Sequence, residues 1–168
     1  MNTVYLLLGS NMGKREGFLS QAIELIKKNT GKIISKSSLY ETAPWGNTNQ
    51  NNFINQVVCI ETTLSPEALL SEILSIEKKL GRTRPFDSAQ GEKSTKWGAR
   101  IIDIDILFYN QQILKSPNLQ IPHPHLHERR FALVPLAEIA EEFIHPVLKK
   151  TIAQLLTDCK DGLKVFLR

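Results

Sequence analysis

Two acidic side chains interrupt a strongly apolar stretch of this sequence at residues 102–106, which read Ile-Asp-Ile-Asp-Ile. On a β-strand, alternation sends both carboxylates to one face and the isoleucines to the other. Asp103 and Asp105 would then lie about 7 Å apart along the strand. Two like charges in apolar surroundings repel each other and lose hydration, which is unfavourable unless a cation compensates. Magnesium bound to nucleotide phosphates is such a cation, because it prefers hard oxygen ligands.

The alternative is a solvent-facing strand whose aspartates pair with surface lysines, and the neighbouring sequence favours the metal. Five basic residues lie in the segment that ends just before the strand: Arg82, Arg84, Lys93, Lys96 and Arg100. Cations beside a magnesium site are the components that phosphoryl transfer uses, because that reaction proceeds by positioning and charge neutralisation. The segment 82–100 shows no hydrophobic periodicity, which is typical of a lid or a binding loop.

Two further motifs suggest ligands less strongly. The stretch 9–15, Gly-Ser-Asn-Met-Gly-Lys-Arg, is one residue short of a phosphate-binding loop and lacks its final hydroxyl, so it is interpreted as a strand-to-helix turn. His123, His125 and His127 alternate and could bind zinc in an extended segment. The intervening prolines make an irregular loop an equal alternative, and this favours a single histidine in contact with a phosphate.

Four aromatic residues, Trp45, Phe53, Trp97 and Phe131, lie in or beside predicted loops. Each alone would usually be a core residue. Flat heterocycles, however, bind by stacking while a few polar groups fix their orientation. Phe53 and Asn55 share one face of a predicted strand and would supply one group of each kind.

The elements that must position these residues follow from hydrophobic periodicity and turn residues. Strands are predicted at Val4–Leu8, Ile33–Tyr40, Phe53–Thr62, Ile101–Tyr109 and Leu163–Leu167, and helices at Phe18–Ile26, Pro66–Leu80, Pro135–Glu142 and Ile152–Leu156. The order strand, helix, strand, strand, helix, strand fits an α+β, ferredoxin-like split βαβ sandwich with a mostly antiparallel sheet covered by helices. We expect a single domain over residues 1–168.

Composition places few limits on the function. The 168 residues are 42% hydrophobic and 23% charged with a net charge of +4, which suits a polyphosphate ligand and also weak nucleic-acid binding. No apolar run approaches the roughly 20 residues of a membrane span, and the first residues do not resemble a secretory signal, so a cytoplasmic protein is expected. Of the two cysteines, Cys59 lies in an apolar run and is predicted to be a buried free thiol.

Several segments together resemble the 6-hydroxymethyl-7,8-dihydropterin pyrophosphokinase family of the folate pathway. The resemblance runs through nearly the whole chain and is carried by residues 8–11, 40–46, 53–55, 76–77, 80–84, 97–107 and 121–131. Its most specific parts are Trp97-Gly98-x-Arg100 followed by Asp103-x-Asp105, together with Pro122-His123-Pro124.

The resemblance implies transfer of pyrophosphate from ATP to the pterin hydroxymethyl group, with release of AMP and with two Mg²⁺ ions held by Asp103 and Asp105. It implies that Arg82 and Arg100 are catalytic and neutralise charge in the transition state. The ATP-site residues it implies are Glu77, Arg84, Trp97, Arg100, Ile106, His123 and Arg129. For the pterin it implies Phe53 and Phe131 as the stacking pair, with Thr42, Ala43, Trp45 and Asn55 around the polar edge.

The sequence departs from the family pattern at the ATP site. Leu74 stands where a polar residue often contacts the nucleotide, and Asn118–Gln120 lacks a basic residue that some members use. The expected partners are the two small-molecule substrates, with no nucleic acid, no membrane and no second copy of the chain.

Two rival functions remain. A nucleotidyl or glycosyl transferase could also use Asp-x-Asp with a metal. An RNA-binding module would suit a ferredoxin-like sheet and a basic protein, but it would have no need of paired aspartates.

Overall fold

The computed structural model describes residues 1–44, 50–82 and 100–168. In chain order the elements are β1 Asn2–Ser10, α1 Arg15–Asn29, β2 Lys32–Lys36, β3 Tyr40–Thr42, β4 Phe53–Thr62, α2 Pro66–Lys79, β5 Asp103–Tyr109, β6 Leu114–Lys115, β7 Gln120–Ile121, α3 Arg130–Ala140, α4 Ile152–Asp158 and β8 Val165–Leu167.

Strand β1 lies inside the main sheet, whose order is β5-β1-β4-β3-β8, and β2 also pairs with β4. All of these pairings are antiparallel. Helix α1 connects β1 to β2, and helix α2 connects β4 to the opposite edge strand β5, which is the split βαβ arrangement. The predicted α+β, ferredoxin-like class is therefore confirmed.

Helices cover both faces of this sheet. On one face α1 and α2 pack through buried residues such as Leu19, Ile26 and Ile73. On the other face α3 and α4 pack through residues such as Leu133 and Ile152. The sheet therefore has an apolar core on each side.

The predictions for β4 and α2 agree closely with the structure. Strand β4 has the predicted bounds, with Ile54, Val58 and Ile60 in the core beneath α1 and α2. Helix α2 starts as predicted, because the Ser65 hydroxyl accepts a hydrogen bond from the backbone N–H of Ala68 at 3.2 Å.

The prediction of one continuous strand over Ile33–Tyr40 is wrong. The chain forms two separate strands in this region, β2 and β3. Ser37 lies between them, and its hydroxyl accepts the backbone N–H of Val57 at 3.0 Å. A side-chain oxygen thus replaces the backbone carbonyl that a continuous ladder would present. The pairing with β4 is interrupted at that point.

The predicted helix Pro135–Glu142 begins too late, since α3 starts at Arg130 and contains Pro135 in its interior. The helix start has no side-chain cap from its own N-cap residue; instead Asp161 accepts the backbone N–H of Arg130 at 3.0 Å. Local sequence carries no signal for a cap that comes from 31 residues downstream.

Among the described residues, no helix has the length and apolar character needed to cross a bilayer. Cys59 is buried, as predicted, and both cysteines are free thiols.

Candidate active site

The alternation prediction for Asp103 and Asp105 is confirmed. Ile104 and Ile106 lie in the core beneath α1 and α2, whereas both carboxylates line a cleft on the opposite face of the sheet. Register places Asp103 beside Gly9 on β1, and Gly9 in turn beside Asn55 on β4. The three strands therefore bring an acid and an amide together across a residue that has no side chain.

Gly9 forms part of the floor of this cleft. A Cβ atom at Gly9 would lie 2.9 Å from Oδ1 of Asn55 and 3.7 Å from Cδ1 of Phe53. The first distance is too short for a carbon and an oxygen that are not bonded, so any larger residue would displace the Asn55 amide. Asn55 is itself held by a 2.9 Å hydrogen bond from its Nδ2 to Oγ1 of Thr42, the last residue of β3.

Two arginines neutralise Asp103. Arg82 donates to Oδ1 of Asp103, and Arg100 donates to Oδ2. Arg82 also donates to Glu77, whose side chain is only 2% exposed. Glu77 in turn accepts the backbone N–H of Ile104, the residue between the two aspartates, at 2.8 Å. The Glu77 carboxylate thus positions both the guanidinium of Arg82 and the backbone of β5.

Asp105 lies in a less compensated environment. Burial, and then the neighbouring Asp103, raise the pKa of the Asp105 carboxyl to about 7, although the guanidinium groups of Arg129 and Arg100 oppose this shift. A carboxyl in such surroundings gains much of its charge when a cation binds beside it. A buried carboxyl of this kind is suited to bind a cation.

His123 is a neutral hydrogen-bond donor to the cleft. Burial and the nearby Arg129 lower the pKa of its imidazole to about 4. Its Nδ1 accepts the backbone N–H of His125 at 3.2 Å, so the ring proton lies on Nε2. A neutral imidazole that presents an N–H suits an anionic oxygen such as that of a phosphate.

A bulge in β5 fixes the backbone at His123. Tyr5 pairs with Phe108 and Leu6 with Ile106, so Leu107 is an extra residue in the ladder. The Leu107 carbonyl accepts the backbone N–H of His123 at 3.0 Å.

The cleft gathers most of the predicted site residues. Its lining includes Thr42, Ala43, Phe53, Asn55, Arg100, Asp103, Asp105, His123, Arg129 and Phe131. Sequence reasoning missed Leu7, Gly9 and Gln50, which also line it. A glycine inside a strand is a signal for close approach of other groups, and it could have identified Gly9.

A second cleft lies along the edge strand β5. It is lined by Ile106 and by residues of α2 and of the segment 116–124, and it shares Asp105 and His123 with the first cleft. Its volume of about 860 Å³ lies within the roughly 300–1,000 Å³ that is usual for small-molecule sites. Leu74, Asn118 and Gln120 line this cleft, so the departures from the family pattern fall in one place.

The remaining predicted residues divide into two groups. Trp45, Arg84 and Trp97 lie outside the described residues. Arg82 and Glu77 are within the described residues, but neither lines a cleft. Arg82 contacts Asp103, and the buried Glu77 contacts Arg82 and the backbone of β5.

The donor set is suited to magnesium and not to zinc. Within residues 1–44, 50–82 and 100–168, no three histidine, cysteine or acidic side chains group together as a metal site, and this includes His123, His125 and His127. Two carboxylates on one strand face are a sufficient protein contribution for Mg²⁺, because this ion completes its shell with waters and substrate phosphates. Asp103 and Asp105 therefore fit that ion.

Comparison with known proteins gives a consistent result. Residues 5–141 match the family model of 7,8-dihydro-6-hydroxymethylpterin-pyrophosphokinase. The chain is 41% identical over 154 residues to the 2-amino-4-hydroxy-6-hydroxymethyldihydropteridine pyrophosphokinase of Aquifex aeolicus, covering 92% of this chain and 90% of that protein. It is 39% identical over 166 residues to the protein of the same name from Bacillus subtilis, covering 98% and 90%.

Solved structures agree in fold. The structure of Plasmodium falciparum HPPK-DHPS, wild type with pterin and p-hydroxybenzoate, superposes with a TM-score of 0.72 at 22% identity. The match covers 94% of this chain and 43% of the Plasmodium chain, so the likeness concerns less than half of that protein. At this identity the comparison shows the fold alone.

Proposed function

Because this chain belongs to the 7,8-dihydro-6-hydroxymethylpterin-pyrophosphokinase family, we propose that it transfers pyrophosphate from ATP to the hydroxymethyl group of 6-hydroxymethyl-7,8-dihydropterin in folate biosynthesis. The products are the pterin diphosphate ester and AMP. The observation that carries the proposal is one cleft that holds an acid pair, cations, aromatic rings and oriented amides together.

The first cleft receives the pterin. Phe53 and Phe131 both line this cleft, and the Arg129 guanidinium lies over the Phe131 ring, 5.8 Å from its centre. The Asn55 amide is oriented by Thr42, which leaves its Oδ1 on the Gly9 side as an acceptor for the N–H groups of the heterocycle. Aromatic faces bind the ring and a few polar atoms fix its orientation.

The second cleft receives the nucleoside of ATP. It shares Asp105 and His123 with the first cleft, so a triphosphate that reaches from the nucleoside to the pterin would pass these two residues. The His123 imidazole donates to a phosphate oxygen, and Arg100 and Arg129 neutralise phosphate charge. Charge neutralisation matters most where transferring phosphoryl groups carry charge in the transition state.

Asp103 and Asp105 would hold magnesium, which supplies charge stabilisation and a template for the triphosphate when bound. Arg82 and Arg100 donate to the Asp103 carboxylate and hold it in place on the cleft side of β5. In the reaction the hydroxymethyl oxygen bonds to the β-phosphorus as the bond between that phosphorus and the α,β-bridging oxygen breaks. The bridging oxygen leaves with AMP, and the hydroxyl proton is released.

The test is an assay of products with ATP, Mg²⁺ and 6-hydroxymethyl-7,8-dihydropterin. Stoichiometric AMP and a diphosphorylated pterin are expected, and chelation of Mg²⁺ by EDTA should abolish both. Release of pyrophosphate with an adenylylated product would indicate nucleotidyl transfer and would refute the proposal. Replacement of the pterin by a purine of similar size is the acceptor control and should yield no AMP.

A further inference from the structure

The buried side chain of Asn11 joins two parts of the cleft that are distant in sequence. Its Oδ1 accepts the backbone N–H of Arg100 at 2.7 Å. Its Nδ2 donates to Oε1 of Gln50 at 3.0 Å and to the carbonyl of Asn51 at 3.3 Å. In addition, the Asn11 backbone N–H donates to the Arg100 carbonyl at 3.1 Å. Every hydrogen-bonding group of this amide is therefore directed to one segment or the other.

These two segments serve different ends of the site. Arg100 contacts Asp103 and lines the first cleft on the side of the acid pair. Gln50 lines the same cleft close to the start of β4, where Phe53 and Asn55 lie. A shift of either segment changes the hydrogen bonds of the same amide group, so the two segments cannot move independently while these bonds last.

The residue type matches this task. The site demands one acceptor and two donor protons from a side chain that is 1% exposed, and only a carboxamide supplies both. An aspartate at this position could still accept from Arg100 but would face two oxygens, those of Gln50 and Asn51, without a proton to donate. A purely structural turn after β1 would need the backbone bonds to Arg100 but not the bonds to Gln50 and Asn51.

We propose that Asn11 is a positioning residue that couples occupation of the pterin side of the cleft to occupation of the phosphate side. The coupling rests on the proposed function, since it links the two substrates of that reaction. A phosphate that orders Arg100 fixes Asn11, and Asn11 then fixes the segment at Gln50 that borders the pterin. By thermodynamic reciprocity, the pterin must raise the affinity for the nucleotide by the same factor.

The experiment is a set of calorimetric titrations with the intact chain and Mg²⁺. The affinity for 6-hydroxymethyl-7,8-dihydropterin is measured with and without α,β-methylene-ATP, whose central bond cannot be cleaved in this reaction. The ratio of the two dissociation constants is the coupling factor, and it cancels any uniform effect of a substitution on either ligand alone. We expect a factor of about ten or more in the wild type, which corresponds to a coupling free energy in the usual range of about 1–3 kcal/mol.

Asn11→Asp should reduce the coupling factor to within about twofold of one. Gln50→Leu removes one of the same bonds from the other end, leaves Asn11 in place and should reduce the factor partially, which provides a second test if the Asp variant does not fold. Asn110→Ala is the matched control, because the side chain of this asparagine also makes two hydrogen bonds to residues distant in sequence, Thr3 and Asn2, but at the far end of β1. It should keep the wild-type factor.

The outcomes separate the coupling from the function. A wild type that binds both ligands with a coupling factor of one, or an Asn11→Asp variant that keeps the full factor, would overturn the role of Asn11 while AMP formation stands. A wild type that forms no AMP and does not bind the pterin would instead refute the proposed function.

Discussion

Gly9→Ala should weaken pterin binding without weakening the fold. The added methyl group would lie 2.9 Å from Oδ1 of Asn55, about 0.5 Å closer than ordinary van der Waals contact allows. The Asn55 amide would have to rotate or retreat, and its 2.9 Å bond to Thr42 would lengthen or break. The acceptor that faces the heterocycle would be displaced at the same time.

The expected loss of binding follows from the displaced Asn55 acceptor, because the bond to Thr42 is made within the protein whether or not the pterin is bound. One neutral hydrogen bond contributes a net of about 0.5–1.5 kcal/mol, or roughly 2- to 13-fold in kcat/KM for the pterin. Because Gly9 lies in a strand and has no positive φ, alanine there is conformationally acceptable and offsets part of the strain in the fold. The thermal midpoint should therefore change little.

Steady-state kinetics with varied pterin at saturating ATP, together with titration of the ATP analogue alone, measure the effect. The KM for the pterin should rise while the affinity for the analogue stays within about twofold of wild type, because Asn55 does not line the nucleotide cleft. Gly17→Ala is the matched control. Its Cβ meets only Cβ of Lys14, at 3.6 Å, and alanine should stabilise α1 by up to about 1 kcal/mol without affecting kinetics. An unchanged pterin KM in Gly9→Ala would refute the reasoning on the floor of the cleft.

Three further predictions concern the charged and buried groups. Asp105→Asn should lower kcat by about 10²–10³-fold, because it removes a charged metal ligand; far-UV circular dichroism should stay unchanged, and near wild-type turnover would contradict the metal assignment. Glu77→Gln should lower the free energy of unfolding by about 2–4 kcal/mol, because Arg82 loses the partner carboxylate that is 2% exposed; urea titration checks this, with exposed Glu67→Gln as a control that should change little. His145 is buried, and burial lowers the pKa of its imidazole to about 4. The unfolded chain, with its ordinary pKa near 6.5, therefore binds a proton that the folded state does not, and stability should fall by up to about 3 kcal/mol as the pH drops from 6.5 to 4. His145→Asn, which can still accept the backbone N–H groups now bound by Nδ1, should show a smaller loss over that range; an equal loss would assign the acid sensitivity to other groups.

Local signals in the sequence were sufficient to predict the elements whose ends are determined by their own residues. Strand β4 alternates between two apolar cores, and α2 has Ser65 and Pro66 at its start, so both were predictable. The alternation of residues 102–106 was equally local, and it placed both aspartates on the correct face. In each case the deciding contacts lie within a few residues of the pattern itself.

Features that depend on distant residues were not predictable in this way. The start of α3 uses Asp161 as a cap, and the gap between β2 and β3 depends on the hydroxyl of Ser37 bonded to Val57. The role of Gly9 requires the register of β1 with both neighbours, which no single strand encodes. The bonds from Asn11 to Gln50 likewise appear only when the chain is folded.

The extra residue at Leu107 divides β5 into two halves, in which odd- and even-numbered side chains face opposite sides of the sheet. Before it, odd-numbered positions face the cleft and even-numbered positions fill the core under α1 and α2; after it, Phe108 faces the α3–α4 layer and Tyr109 the other core. A deletion at this point would force one half to exchange its faces, either burying the acid pair among isoleucines or driving Tyr109 out of its core. The irregularity allows a single short strand both to carry charged ligands on one side of the sheet and to anchor an aromatic ring on the other.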